Sequence, residues 1–134
     1  MSNSSITKNH DLALLLLRIG VGLIFIVAGW GKITGIEGTQ QFFGNIGIPM
    51  AGIMAWVVAI VELVGGLMVL IGYRIQIPAL MLATVMLVAI LTTKLGNDNM
   101  FRSMRLDLIL LLVNLSLAIL GSGKYSLDDK LNKS

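Results

Sequence analysis

Four long apolar runs, at 12–28, 51–71, 75–93 and 106–120, occupy more than half of the chain. Each approaches the ~20 residues a helix needs to cross a ~30 Å hydrocarbon core. Backbone groups inside lipid have no water to bond, so runs of this kind are helical. The predicted fold is an all-α membrane protein, a four-transmembrane-helix bundle forming one domain over 1–134. Its helices are expected at about 12–31, 50–72, 75–95 and 104–121, followed by a short polar tail, 122–134.

Composition agrees. Hydrophobic residues make up 56% of the chain and charged residues 13%, against about 25% charge in soluble domains. Mean hydropathy is +0.89. Both prolines fall at element starts, Pro49 before the second run and Pro78 in the first turn of the third, where a missing N–H costs little. The first run lacks the strongly basic leader and the small-residue cleavage site of a signal peptide. It reads as a retained helix.

The connections are short, with one exception. Gly72-Tyr73-Arg74 is a tight hairpin, and 96–104 is a polar loop containing Asn97-Asp98-Asn99. The long connection, 33–48, holds a segment at 37–43 with Gln40, Gln41, Phe42 and Phe43. This segment is expected as a short interfacial helix. The side carrying both termini and the hairpin holds Lys8, Arg74, Lys124, Lys130 and Lys133; the other side holds Lys32, Lys94, Arg102 and Arg105. The small basic excess favours cytoplasmic termini.

Several chemistries are excluded. The chain has no cysteine and one histidine, His10, so thiol relays, cysteine-ligated clusters and multi-histidine metal or haem sites within one chain are ruled out. No metal site and no intrinsic cofactor is expected. Nine of the ten basic residues are scattered at segment ends, and they form no nucleic-acid stripe. They suit phospholipid headgroups. No phosphate loop, nucleophile triad or paired-carboxylate site occurs, and the eight methionines do not cluster, as packing filler would not.

Two charges stand well inside the apolar runs, Arg18 and Glu62. A lone charge at the bilayer centre costs at least ~2.5–3.5 kcal/mol on insertion scales. Antiparallel packing of the first two helices brings their expected depths to within ~8 Å, close enough to pair. Thr84 and Asn114 come out at similar depths, giving one buried polar layer in the half nearer the termini. Ala51, Ala55, Ala59, Glu62, Gly66 and Tyr73 share one helical stripe, and Arg18, Gly22, Phe25 and Gly29 share another. Asp107, Asn114, Ala118 and Gly121 repeat the theme in the fourth helix. Small residues beside a polar one permit close packing. The Arg18–Glu62 pair reads either as a lock between helices or as a site for a polar headgroup, a quinone ring or a proton. Trp30 and Lys32 read as an interface anchor, and Asp107, near a helix end, as a further polar candidate.

The order of these features resembles the DoxX family of bacterial inner-membrane proteins. Arg18 precedes Gly20-Val21-Gly22-Leu23-Ile24-Phe25, and Gly29-Trp30-Gly31-Lys32 closes the first helix. Gly47-Ile48-Pro49 opens the second, where Glu62 is followed by Gly65-Gly66 and Leu70-Ile71-Gly72-Tyr73-Arg74. The ending Gly121-Ser122-Gly123-Lys124-Tyr125-Ser126-Leu127-Asp128 looks like that family's tail. In the tail, Ser126 with Asp128 and Asp129 also reads as a helix cap.

The resemblance implies a four-helix inner-membrane protein linked to membrane oxidoreductases, one branch being a subunit of a thiosulfate:quinone oxidoreductase. Quinone is then the candidate ligand, and a membrane or peripheral redox protein the candidate partner. Electrons would come from such a partner or directly from substrate. The alternatives are a non-enzymatic scaffold or anchor, and a small transporter or lipid-binding bundle that would need a homo-oligomer.

Overall fold

A computed structural model describes residues 3–94 and 100–132. The described residues are mostly helical, with no strand among them: α1 (Asn3–Thr34), α2 (Ile36–Asn45), α3 (Ala51–Ile71), α4 (Gln76–Ala89), a π-helical turn (Ile90–Lys94), α5 (Met100–Leu120) and α6 (Leu127–Asn132). Asn97-Asp98-Asn99 lies outside the described residues.

Two helices are long and apolar enough to cross a membrane, Asn9–Thr34 and Ala51–Ile71, and Gln76–Thr92 is a shorter apolar third. α1 begins well before the expected position because no glycine or proline interrupts residues 3–19. The 33–48 connection is helical through α2, whose Phe43 is buried and whose Gln40 Nε2 donates to Gly52 O at 3.0 Å. The tail expected as a polar extension folds instead. Ser126 Oγ accepts from Asp129 N at 3.2 Å and caps α6.

The tightest contact joins α1 and α3. A side chain at Gly29 would lie 2.5 Å from Leu63 N and 2.8 Å from Ala59 O, and one at Gly66 would lie 2.9 Å from Gly22 O. The two backbones therefore touch through glycine and alanine, as the two stripes require. Ala55, Ala59, Glu62, Gly66 and Val69 are buried along α3, and Arg18, Val21, Phe25 and Gly29 along α1. α4 and α5 complete the core with Ala79, Leu82, Met86, Leu110 and Leu117.

The outer surface is the reverse. Leu16, Val27, Ile60, Leu80, Leu112 and Ile119 are exposed, whereas Arg18, Glu62 and Asn114 are no more than 2% exposed. Polar groups inside and aliphatic side chains outside is the arrangement that suits lipid as solvent.

Candidate functional site

Arg18 and Glu62, expected as a pair, lie at different depths and take different partners. The α1–α3 register is set by the glycine contacts, Gly29 against Ala59 and Leu63, and Gly22 against Gly66 and Leu70. This register puts Arg18 opposite Leu70, eight residues beyond Glu62 on α3, or roughly 12 Å along the axis. Counting depth from the ends of the apolar runs had set the two side by side. Among the described residues these side chains form two polar centres rather than a single layer.

The first centre lies at the C-terminus of α3. Gly72, with φ +75°, ends the helix; its N–H bonds Val69 O, and Tyr73 N bonds Met68 O. This Schellman closure leaves Leu70 O over. Arg18 Nη1 takes it at 3.1 Å, and Nη2 donates to Tyr125 O in the tail. The negative end of the α3 dipole favours a cation at this position. A side chain at Gly72 would meet Arg18 Nη1 and Ser126 Cβ, each at 2.5 Å.

Asp128 completes this centre. Its Oδ1 accepts from Arg74 N and its Oδ2 from Ser122 Oγ, each at 3.0 Å, while its own N–H bonds Gly72 O at 3.0 Å. Asp11 Oδ1 accepts from Lys124 N at 3.0 Å. The Tyr125-Ser126-Leu127-Asp128 segment thus fastens the α3–α4 hairpin to α1. The Tyr125 ring is exposed, and Tyr73 is half-buried with the Arg74 guanidinium 5.6 Å from its ring centre.

The second centre is a cleft. Glu62 Oε2 accepts from Lys32 Nζ at 2.8 Å, an ion pair between α3 and the end of α1. The pair lies in the wall of a cavity of about 730 Å³ that Asp107 of α5 also lines. The remaining walls are mostly apolar, with Met54, Val57 and Val61 of α3 and Met81, Val85 and Val88 of α4. Sites for small molecules occupy ~300–1,000 Å³ and combine apolar walls with a few convergent polar groups. Lys32 offers an N–H donor, Glu62 and Asp107 offer carboxylates, and the aliphatic walls offer water few hydrogen-bond partners.

The remaining candidates are placed as follows. Thr84 lines the cleft, with its hydroxyl donating to Leu80 O at 2.9 Å. Asn114 is buried; its Nδ2 donates to Leu110 O at 2.8 Å, and its Oδ1 is unpartnered among the described residues, as is Arg18 Nε. Trp30 is exposed on the apolar outer surface. Lys32, expected as an interface anchor, is the partner of Glu62. Among the described residues no group of three or more His, Asp or Glu could hold a metal ion.

The buried charges, the aliphatic exterior and the two membrane-length helices define an all-helical integral membrane protein. The chain belongs to the DoxX family, whose model matches residues 13–95. It is 41% identical over 121 residues to a Bacillus subtilis (strain 168) protein named "Putative oxidoreductase CatD", covering 90% of this chain and 88% of the relative. It is 38% identical over 131 residues to the Escherichia coli (strain K12) inner membrane protein YqjF, covering 94% and 97%. No solved structure matches the chain.

Proposed function

We propose that the chain is a four-span inner-membrane protein that binds a quinone in the Lys32–Glu62 cleft and serves a membrane oxidoreductase system as a quinone-linked or accessory subunit. The observation that carries this reading is an ion pair set in the wall of a mostly apolar cavity. A quinone ring suits the aliphatic walls, and its carbonyl oxygen suits the Lys32 ammonium. When bound, a quinone supplies a two-electron, two-proton acceptor. Glu62 and Asp107 are placed to hold protons at its polar end, and the electrons come from a redox partner or from the substrate oxidised. The name carried by the Bacillus relative supports the same class of chemistry.

In this reading α1, α3, α4 with its π-helical turn, and α5 each cross the bilayer, and α2 lies at the interface. Both termini face the cytoplasm, on the side of Arg74, Lys124 and Lys130. A reporter fused after Ser134 is expected to read as cytoplasmic.

The binding test uses protein in lipid nanodiscs titrated with decylubiquinone, read by quenching of Trp30 and Trp56. Saturable quenching is expected. Glu62→Gln removes the charge that holds Lys32 in place and should weaken binding about tenfold or more, the scale of a hydrogen bond to a charged group. A linear, unsaturable response equal in both proteins would show simple partitioning into lipid and end the proposal.

A second reading, a non-enzymatic scaffold, draws on the tail fastening. The Asp128 contacts make the polar end of the molecule a rigid face rather than a soluble catalytic site. Stoichiometric co-purification of a partner, with no quinone binding, would favour it.

A further inference from the structure

The floor and the rim of the cleft differ in kind. Glu62 and Met86 are buried, whereas the rim residues Val57, Met81 and Val88 are 43%, 46% and 42% exposed. The rim stands on the outward faces of α3 and α4, among the aliphatic side chains of the outer surface. At the Ala51 end of α3 the cavity meets Phe43, which is buried, and the turn at 46–49. α2 is tied down there by the Gln40–Gly52 bond of 3.0 Å. Phe43 and the turn at 46–49 thus border the cavity at the Ala51 end of α3, while its rim on α3 and α4 is continuous with the aliphatic outer surface.

Depth adds a second constraint. Glu62 is the twelfth residue of α3, which has 21, so it lies about 16 Å from the helix start, near the middle of a ~30 Å span. Phospholipid headgroups remain outside the hydrocarbon core. Charge adds a third. The cavity lining holds one ammonium, Lys32, against two carboxylates, Glu62 and Asp107, which disfavours a phosphate anion.

We infer that the cleft is loaded sideways from the bilayer, between α3 and α4, by an uncharged ring compound dissolved in the lipid that turns a hydrogen-bond-accepting oxygen to Lys32. The inference rests on the reading of the cleft as a ligand site. It adds the route of entry and excludes lipid headgroups and water-borne anions as occupants. Ligand exchange then depends on the membrane pool of the compound and on the gap between α3 and α4.

The absence of cysteine allows a direct test. Single variants Val61→Cys and Val85→Cys, on opposite walls of the cleft, are spin-labelled and placed in nanodiscs. The second variant keeps the test alive if the first fails to fold. Collision with oxygen, which dissolves in lipid, is compared with collision with a neutral water-soluble nickel chelate. Oxygen collisions should dominate by several-fold at both positions, and decylubiquinone should reduce them, while raising the phosphatidylglycerol content should not. Dominance of the nickel chelate would overturn lateral entry, whatever the quinone does. A reduction by phosphatidylglycerol would overturn the choice of occupant. Oxygen dominance with no response to decylubiquinone would support entry from lipid and overturn the quinone reading, so the two claims fail separately.

Discussion

Lys32 Nζ lies 2.8 Å from Glu62 Oε2, so the carboxylate near the middle of α3 is neutralised from the end of α1. The lysine retains 29% side-chain exposure and the glutamate 2%. The long lysine stem thus carries a charge from the end of α1 toward the middle of α3.

Removing one partner of this pair should hurt more than removing both. Lys32→Met leaves a buried carboxylate without its cation, which in soluble proteins costs ~3–5 kcal/mol. Detergent melting should show a large loss for Lys32→Met, and substantial recovery for Lys32→Met with Glu62→Leu. A double variant as unstable as the single would mean that the pair does not set the cost.

Arg18 and Glu62 should behave independently. They take separate partners, and sites more than ~7–10 Å apart with no shared partner are additive within ~0.5 kcal/mol. Arg18→Leu, Glu62→Leu and the double variant form the cycle. Mutual rescue would show that the two side chains meet.

The α1–α3 contact predicts a sharp contrast between glycines. Gly29→Ala forces a methyl to within 2.5 Å of Leu63 N, whereas a methyl at Gly20 meets nothing within 4 Å. Gly29→Ala should destabilise by ~1–3 kcal/mol, the usual cost of overpacking. Gly20→Ala should be neutral or stabilising by up to ~1 kcal/mol, through helix propensity. Thermal melts of both proteins in one detergent decide it, and equal effects would refute the register.

Asp128 should act as a fastener. Asp128→Ala removes the acceptors of Arg74 N, which is exposed to solvent, and of the buried Ser122 Oγ, the second at ~1–3 kcal/mol. Faster trypsin cleavage at Lys124 and Lys130 is expected, with the decylubiquinone affinity of the distant cleft unchanged. Unaltered cleavage would show that the tail is held by other contacts.

Much of the architecture is written in local pattern. Apolar runs of membrane length dictate helices because lipid gives the backbone no other partner. The glycine and alanine stripes follow from helical periodicity alone, and the structure places them at the α1–α3 contact. Ser126 reads as a cap from its neighbours, although α6 and its docking do not.

Tertiary structure decided which polar groups meet. Composition and spacing identify Arg18, Glu62 and Lys32 as notable, but their partners depend on helix register. That register comes from where Gly22, Gly29 and Gly66 let the backbones touch, a shift of a few residues that moves a side chain by ~1.5 Å each. Leu70 O and Tyr125 O, the partners of Arg18, are backbone atoms with no mark in the sequence. The cleft is less legible still, because its walls are ordinary Val and Met. Only the placement of α2, α3 and α4 around the Lys32–Glu62 pair distinguishes those side chains from the rest of the lipid-facing surface.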